Sequence, residues 1–368
     1  MASNLKSPPS EVPGVADAVA RVRTYHQRTK HLPGHFAPGP GYLDWANQPD
    51  PFRRFSGVPM VELPLVPDDG TPPYDSLFHS RESPSQPLTA ESLGLFLELS
   101  LGLTAWKEFQ GTRWALRSNP SSGNLHPTEG YVVLPPLASL TDRGGVYHYA
   151  PCEHALEQRC ILNKAAMGTL GVVLPAGVFL VGLTSVHWRE AWKYGERAYR
   201  YCQHDVGHAL GALCIAAAAL GWRVALVSTL SDTEVAGLLG VDRTTDFNDV
   251  EAEHPDLIAT VITDPASAVP PNLTKGLVAG VRASHWAGKA NRLSPVHVDW
   301  AEIAAVEVAT VKPHTASLPL RDLAASSNPA QRPIRDIPRS AAIIRQRRSA
   351  VDMDARTGLS RDAFFGML

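Results

Sequence analysis

The stretch "RSNPSSGNLHPTEGYVV", Arg117 to Val133, is where the fold of this chain is decided. Its first eleven residues hold two Pro, one Gly, two Asn and three Ser, and the run then turns abruptly β-rich. Ser121 and Ser122 offer hydroxyls, Gly123 frees backbone N–H groups, and the Asn124 amide gives and takes hydrogen bonds at once. Such a set suits a planar, polar ring edge that presents donor and acceptor side by side. Two other uses compete: an anion held in a nest of backbone amides, and a capped turn between helix and strand.

Outward from the loop, the pattern alternates between helical and strand periods. Leu88 to Leu103 predicts a helix with Thr89 as N-cap, Glu91 and Ser92 in its first turn, and Leu93, Phe96, Leu97 and Leu101 as its apolar face. Strands are predicted at Gly130 to Leu134, Gly145 to Tyr149, Val178 to Leu183, Arg223 to Thr229 and Leu257 to Thr263. Tyr199 to Leu220 reads as a helix apolar nearly all round, hence buried. Ser231 and Glu234 form a capping box at the start of another helix. The mixture indicates an α+β or α/β domain across about residues 80 to 265.

The flanks differ in composition. Residues 1–74 are rich in Pro, His and Asp, and predict one helix at Glu11 to Thr29 within an extended arm. Tyr42, Trp45, Phe52 and Phe55 suggest that the arm packs on a surface. Residues 266–340 are rich in Pro, Ala and Ser and read as a linker or wrapping arm.

Bulk properties narrow the function. With 368 residues, 44% of them hydrophobic, the chain can bury a real core. A formal charge of -2 argues against nucleic-acid and membrane-surface partners. No run reaches the roughly 18 apolar residues of a membrane helix. The start "MASNLKSPPSEVPG" lacks an apolar signal region, so a cytoplasmic location is expected. Cys152, Cys160, Cys202 and Cys214 show no CxxC spacing and are expected as free thiols. His204 and His208 stand four apart with Asp205 between, but no third ligand stands out, and no metal is expected.

"SNPSSGNLHPTEGYVV" resembles the flavin-contacting loop of the nitroreductase-like FMN oxidoreductases, in the SagB-type branch that includes azoline dehydrogenases. "SRES", Ser80 to Ser83, is similar to that family's Arg-Arg-Ser motif, with Ser80 in place of the first Arg. Trp192 to Trp222 resembles the branch's signature strand end and long helix. The likeness covers about residues 75–265 and implies an α+β fold, a central mainly antiparallel sheet flanked by helices, with extended terminal arms.

It also implies FMN as cofactor. Arg81 and Ser83 would reach the FMN phosphate and ribityl chain, an Arg fork matching phosphate oxygens. Pro120, Ser121, Ser122, Gly123 and Asn124 would line the isoalloxazine ring. Lys193 and Tyr194 resemble the Lys-Tyr pair implicated as catalytic in azoline dehydrogenases, where a base takes a proton while a hydride moves to flavin N5. Without the resemblance, Lys193 reads as a solvated strand-end charge and Tyr194 as packing.

The tail repeats the pattern of the domain's start. "RRSA" then "LSRDAFFGML" echoes "SRES" then "LTAESLGLFL", so residues 341–368 are expected to open a second copy of the domain. In this family sites usually form between two domains, so a second nitroreductase-like domain or a homodimer partner is expected.

Three functions remain open from sequence: an FMN oxidoreductase acting on peptide azolines or similar small substrates, an NAD(P)H-dependent nitro or quinone reductase, and a non-catalytic scaffold of a modification complex.

Overall fold

Alternation along Thr128–Leu134 sets the layers: Tyr131 and Val133 enter one apolar core, Val132 and Leu134 the other. The same split recurs on Val178–Ser185, where Phe179, Val181 and Leu183 oppose Val178 and Leu180. Both strands are buried on both faces, as the centre of a covered sheet requires.

The computed structural model describes residues 14–67, 70–78, 84–264, 267, 273–316, 338–350 and 352–365. Its strands are β1 (Phe55–Ser56), β2 (Met60–Glu62), β3 (Leu103–Phe109), β4 (Thr112–Arg117), β5 (Thr128–Leu134), β6 (Gly145–Ala150), β7 (Ala155–Ile161), β8 (Val178–Ser185), β9 (Arg223–Leu226), β10 (His254–Ile262), β11 (His285–Trp286) and β12 (Lys289–Ala290). Its helices are α1 (Val15–Arg28), α2 (Ala90–Leu101), α3 (Lys164–Val173), α4 (His187–Tyr194), α5 (Ala198–Ala219), α6 (Asp232–Leu239), α7 (Lys275–Arg282), α8 (Ala301–Thr310), α9 (Ser340–Gln346) and α10 (Arg361–Phe365).

The central sheet runs β11-β7-β6-β5-β8-β10-β9, with β2 also on β7. Every pairing in it is antiparallel. One face carries α2 and α5 through Leu93, Phe96, Leu97, Leu213 and Trp222. The other carries α3, α6 and α7 through Leu170, Leu239 and Leu277. Gly182 of β8 makes room for α6, because a Cβ there would lie 2.5 Å from a Leu239 methyl. The expected α+β architecture with a helix-flanked antiparallel sheet is what the chain adopts.

Three elements depart from the sequence reading. The helix expected to reach Leu103 stops at Leu101, and Leu103 opens the β3–β4 hairpin. Gln110 and Gly111, with φ of 49° and 79°, form its two-residue turn, and that pair was the overlooked signal. α5 is not buried all round. It buries Cys202, Val206, Ala209, Leu213, Ala216 and Ala217, but exposes Gln203, His204, Gly207, His208, Gly211 and Cys214. Its many small residues look apolar in composition without marking which face is covered. In α1 the buried contact is Tyr25, while Val15 and Val19 lie open.

The capping box at Ser231 and Glu234 forms as read, and Thr89 caps α2 with Ser92 as its reciprocal partner. Residues 273–316, read as a linker or wrapping arm, hold α7, β11, β12 and α8, which pack back on the domain. In the C-terminal segment, Ala341 is buried in the first core and Arg345 pairs with Glu98 of α2. All four cysteines are free, Cys160 and Cys202 buried and Cys152 and Cys214 exposed. Among the described residues no helix is long and apolar enough to cross a membrane.

Candidate active site

β4 delivers the chain into the loop and β5 takes it away, so residues 118–127 sit at the N-terminal end of β5, beside α5. Three residues of this loop use left-handed backbone: Gly123 at φ 60°, Asn124 at 60° and His126 at 52°. Two of these are not glycine, and such strain persists only where the surroundings over-determine it. The over-determination is visible. Ser121 Oγ donates to Asp205 Oδ2 at 2.7 Å, and Ser122 donates to Asp205 from its N at 3.0 Å and its Oγ at 2.9 Å. Ser121 Oγ also accepts from the His126 N–H at 2.8 Å. Asn124 Nδ2 donates to the Ala115 carbonyl at 2.9 Å, and its Oδ1 meets His126 Nε2 at 3.0 Å.

The predicted loop residues therefore come together, but their side chains are largely used within the protein. Asp205 of α5 is the anchor, and sequence reading passed over it between two histidines. Burial raises its pKa, against the opposing hydrogen bonds from Ser121 and Ser122. The flanking His204 and His208 are exposed and converge on no third ligand among the described residues. His208 Nδ1 lies 3.9 Å from Asp205.

Lys193 and Tyr194 stand at the C-terminal end of α4, not at a strand end. β8 already ends at Ser185, and the near-complete burial of α4 hid its helical period. The loop and this pair meet at Gly123, where an added Cβ would lie 2.5 Å from the Tyr194 hydroxyl and 3.1 Å from Lys193 Nζ. Lys193 Nζ lies 5.4 Å from the centre of the Tyr194 ring. Burial pushes Tyr194 up to about 12, so its hydroxyl keeps its proton at neutral pH.

Two further polar groups are buried here without partners among the described residues. Both carboxyl oxygens of Glu190, one turn before Tyr194 on α4, accept no hydrogen bond from a described residue, and neither does Asn119 Oδ1 in the loop. Burial, then the nearby Asp205 charge, raises Glu190 well above the usual carboxylate range, which favours the neutral acid. The signal for Glu190 was present in "REAWKY", a carboxylate four residues before a tyrosine in an otherwise buried turn. Arg81 and Ser83, assigned to the phosphate end, lie outside the described residues.

A surface cavity of about 310 Å³ lies elsewhere, lined by Arg243, Arg282 and Trp286 among others. Its cations are already paired, Arg282 with Asp242 and Arg243 with Asp246, and it includes none of the loop residues.

Gly123→Ala and Gly111→Ala separate backbone strain from site geometry. Both positions have left-handed backbone, but a Cβ at Gly111 meets nothing within 4 Å. Each variant is expected to lose about 1–2 kcal/mol in urea unfolding. Only Gly123→Ala also displaces Tyr194 and Lys193, so only it should lower turnover.

Residues 85–250 match the sequence profile of the nitroreductase family. A Methanocaldococcus jannaschii protein described as a candidate nitroreductase is 26% identical over 165 residues, 44% of this chain and 79% of that protein. A candidate nitroreductase of Anabaena variabilis, known from its crystal structure, aligns with a TM-score of 0.53 at 22% identity. The match covers 80% of this chain and 55% of that protein, so the chain spans about half of that relative's length. A candidate nitroreductase of Ralstonia eutropha aligns with a TM-score of 0.41 at 18% identity, over 62% of this chain and 98% of its own. The fold is thus nitroreductase-like.

Proposed function

We propose that this chain is an FMN-dependent oxidoreductase that exchanges a hydride at flavin N5, with a peptide azoline or similar small heterocycle as substrate. The observation that carries the reading is the meeting of the 118–127 loop with Lys193 and Tyr194 at Gly123. The donor set fits the pyrimidine edge of a flavin. Lys193 is an amine from which no described residue takes a hydrogen bond, Tyr194 is a hydroxyl donor, and Asn119 has a buried acceptor unused among the described residues. The Ser121, Ser122 and Asn124 side chains hold the loop, so its contact with the ring falls to its backbone. The phosphate end is assigned to Arg81 and Ser83 by resemblance alone. FMN, when bound, supplies the hydride-exchanging atom.

The protein's own residues then manage charge and proton. Lys193 faces the loop; as the free amine it would take the substrate proton, and the ammonium so formed would oppose negative charge on the reduced ring. Tyr194, which keeps its proton, orients the reacting group by donation. Glu190, kept neutral by burial, leaves Lys193 outside a salt bridge.

The loop face is open: Pro120 and Gly123 are exposed, and so is the α5 stripe through Gly207, Gly211 and Cys214. A second nitroreductase-like domain, for which residues 341–368 would be the start, or a second copy of the chain is the partner that would cover it. A cytoplasmic location belongs to the same reading.

The nitroreductase-family match favours a second reading, NAD(P)H-driven reduction of nitro compounds or quinones. One preparation decides. Full-length chain is mixed with excess FMN, desalted and scanned. Retained flavin absorbance is expected, and a colourless protein overturns both readings in favour of a scaffold. Bleaching of the retained flavin by NADPH under anaerobic conditions selects the reductase; oxidation of an azoline peptide without NADPH selects the dehydrogenase.

A further inference from the structure

Away from the loop, two imidazoles and a carboxylate converge at one end of the central sheet. β8 and β10 are antiparallel neighbours, and His254 pairs in register with Ser185. His187 follows two residues after Ser185 as the first residue of α4, so both histidines emerge together. Their rings stack with centroids 4.0 Å apart and planes 7° apart. Glu307 of α8 reaches the same spot. Its Oε2 lies 3.9 Å from His187 Nδ1, and its Oε1 accepts a hydrogen bond from His254 Nδ1. One ligand atom from each of the three residues lies within 4.8 Å of the others. Tyr199 of α5 closes one side, its ring edge-on to His187 and its hydroxyl 2.7 Å from Thr310 Oγ1 of α8.

We infer that His187, His254 and Glu307 form a site for a divalent transition-metal ion of the zinc class, which clips α8 to the end of the central sheet. Two histidines and one glutamate are a known three-ligand set for zinc, with the fourth position left to water. His187 is buried, and its Nδ1 faces the Glu307 carboxylate. Zinc–nitrogen bonds of about 2.0–2.1 Å bring the bound nitrogens roughly 3.3 Å apart. The parallel stack must therefore open. His254 and Glu307 are the movable partners, with side chains 27% and 35% exposed. Tilting His254 out of the stack turns both Nδ1 lone pairs toward the carboxylate. Binding through His254 Nδ1 moves the ring proton now shared with Glu307 to Nε2. The site is independent of the flavin reading. The sequence spacing raised His204 and His208, where no metal is expected; the fold brings together a different set from three distant elements.

The test uses the full chain, stripped with a chelator, given Zn²⁺, and followed by elemental analysis and competition with a chromophoric chelator. One zinc per chain is expected, with Co²⁺ giving a coloured complex. His254→Ala and Glu307→Gln should each weaken zinc binding at least about tenfold, while His204→Ala changes nothing. Glu307 lies on a partly exposed helix face, so Glu307→Gln remains decisive even where His254→Ala disturbs folding. A wild-type chain that retains no zinc, or zinc retained undiminished by Glu307→Gln, overturns the assignment.

Discussion

Arg189→Ala will cost the folded chain about 3–5 kcal/mol, read from the shift in its urea midpoint at unchanged slope. Arg189 lies on α4 and is essentially inaccessible. Its guanidinium donates to the Glu129 carboxylate, to the His126 carbonyl at 2.8 Å and to the Asp50 carbonyl at 3.0 Å. Glu129 also takes a hydrogen bond from His148 Nε2 at 3.1 Å, and His148 Nδ1 bonds Glu157 at 2.8 Å. Glu157 in turn accepts from the Phe55 N–H at 3.0 Å. One buried chain of charge thus links the N-terminal arm, three strands and α4. Removing Arg189 leaves Glu129 in the core with only the His148 hydrogen bond among the described residues, and a partly satisfied buried network costs more than an apolar one.

The same chain fixes a pH dependence. Burial alone would lower His148, but the hydrogen bonds to Glu129 and Glu157 outweigh it and raise it to about 9. A histidine raised in the folded state contributes fully below its unfolded pKa of about 6.5, and that contribution is lost as pH rises toward 9. Stability should fall by roughly 3 kcal/mol over that window. His148→Gln, compared over the same window, should be less stable at neutral pH and nearly flat. An equal decline in the variant would sink the assignment.

Lys193→Ala is expected to lower turnover by about 10²–10⁴-fold while the protein still holds flavin. Its amine approaches the loop at Gly123 and donates to no described residue, so its removal disturbs no internal bond. Tyr194→Phe should cost less, because it removes one donor and leaves the ring. Glu190→Gln keeps the shape and the neutral state of the acid. It should leave flavin retention intact and flatten any step in the pH–rate profile that Glu190 causes. Unchanged turnover in Lys193→Ala would remove the lysine from the chemistry.

Much of the scaffold could be read along the chain. β5 and β8 announced themselves as short runs of consecutive apolar residues, and Ser231 with Glu234 by their spacing. The β3–β4 hairpin was missed because the leucine-rich helix before it runs on in composition without a break. α4 escaped because Trp188, Ala191 and Trp192 are buried together with Arg189 and Glu190, which erases any polar face. The loop was legible as a dense polar cluster, but not its principal partner. Asp205 lies 83 residues from Ser122, and no local pattern reports a contact at that distance. The His187–His254–Glu307 cluster was hidden for the same reason, since strand register brings the two histidines together and the packing of α8 adds Glu307.

The grip of Asp205 on Ser121 and Ser122 has a thermodynamic meaning. The rotational freedom of these loop residues is surrendered once, while the chain folds. A flat molecule reaching the loop afterwards meets a surface already set, and its affinity is not taxed by ordering that surface.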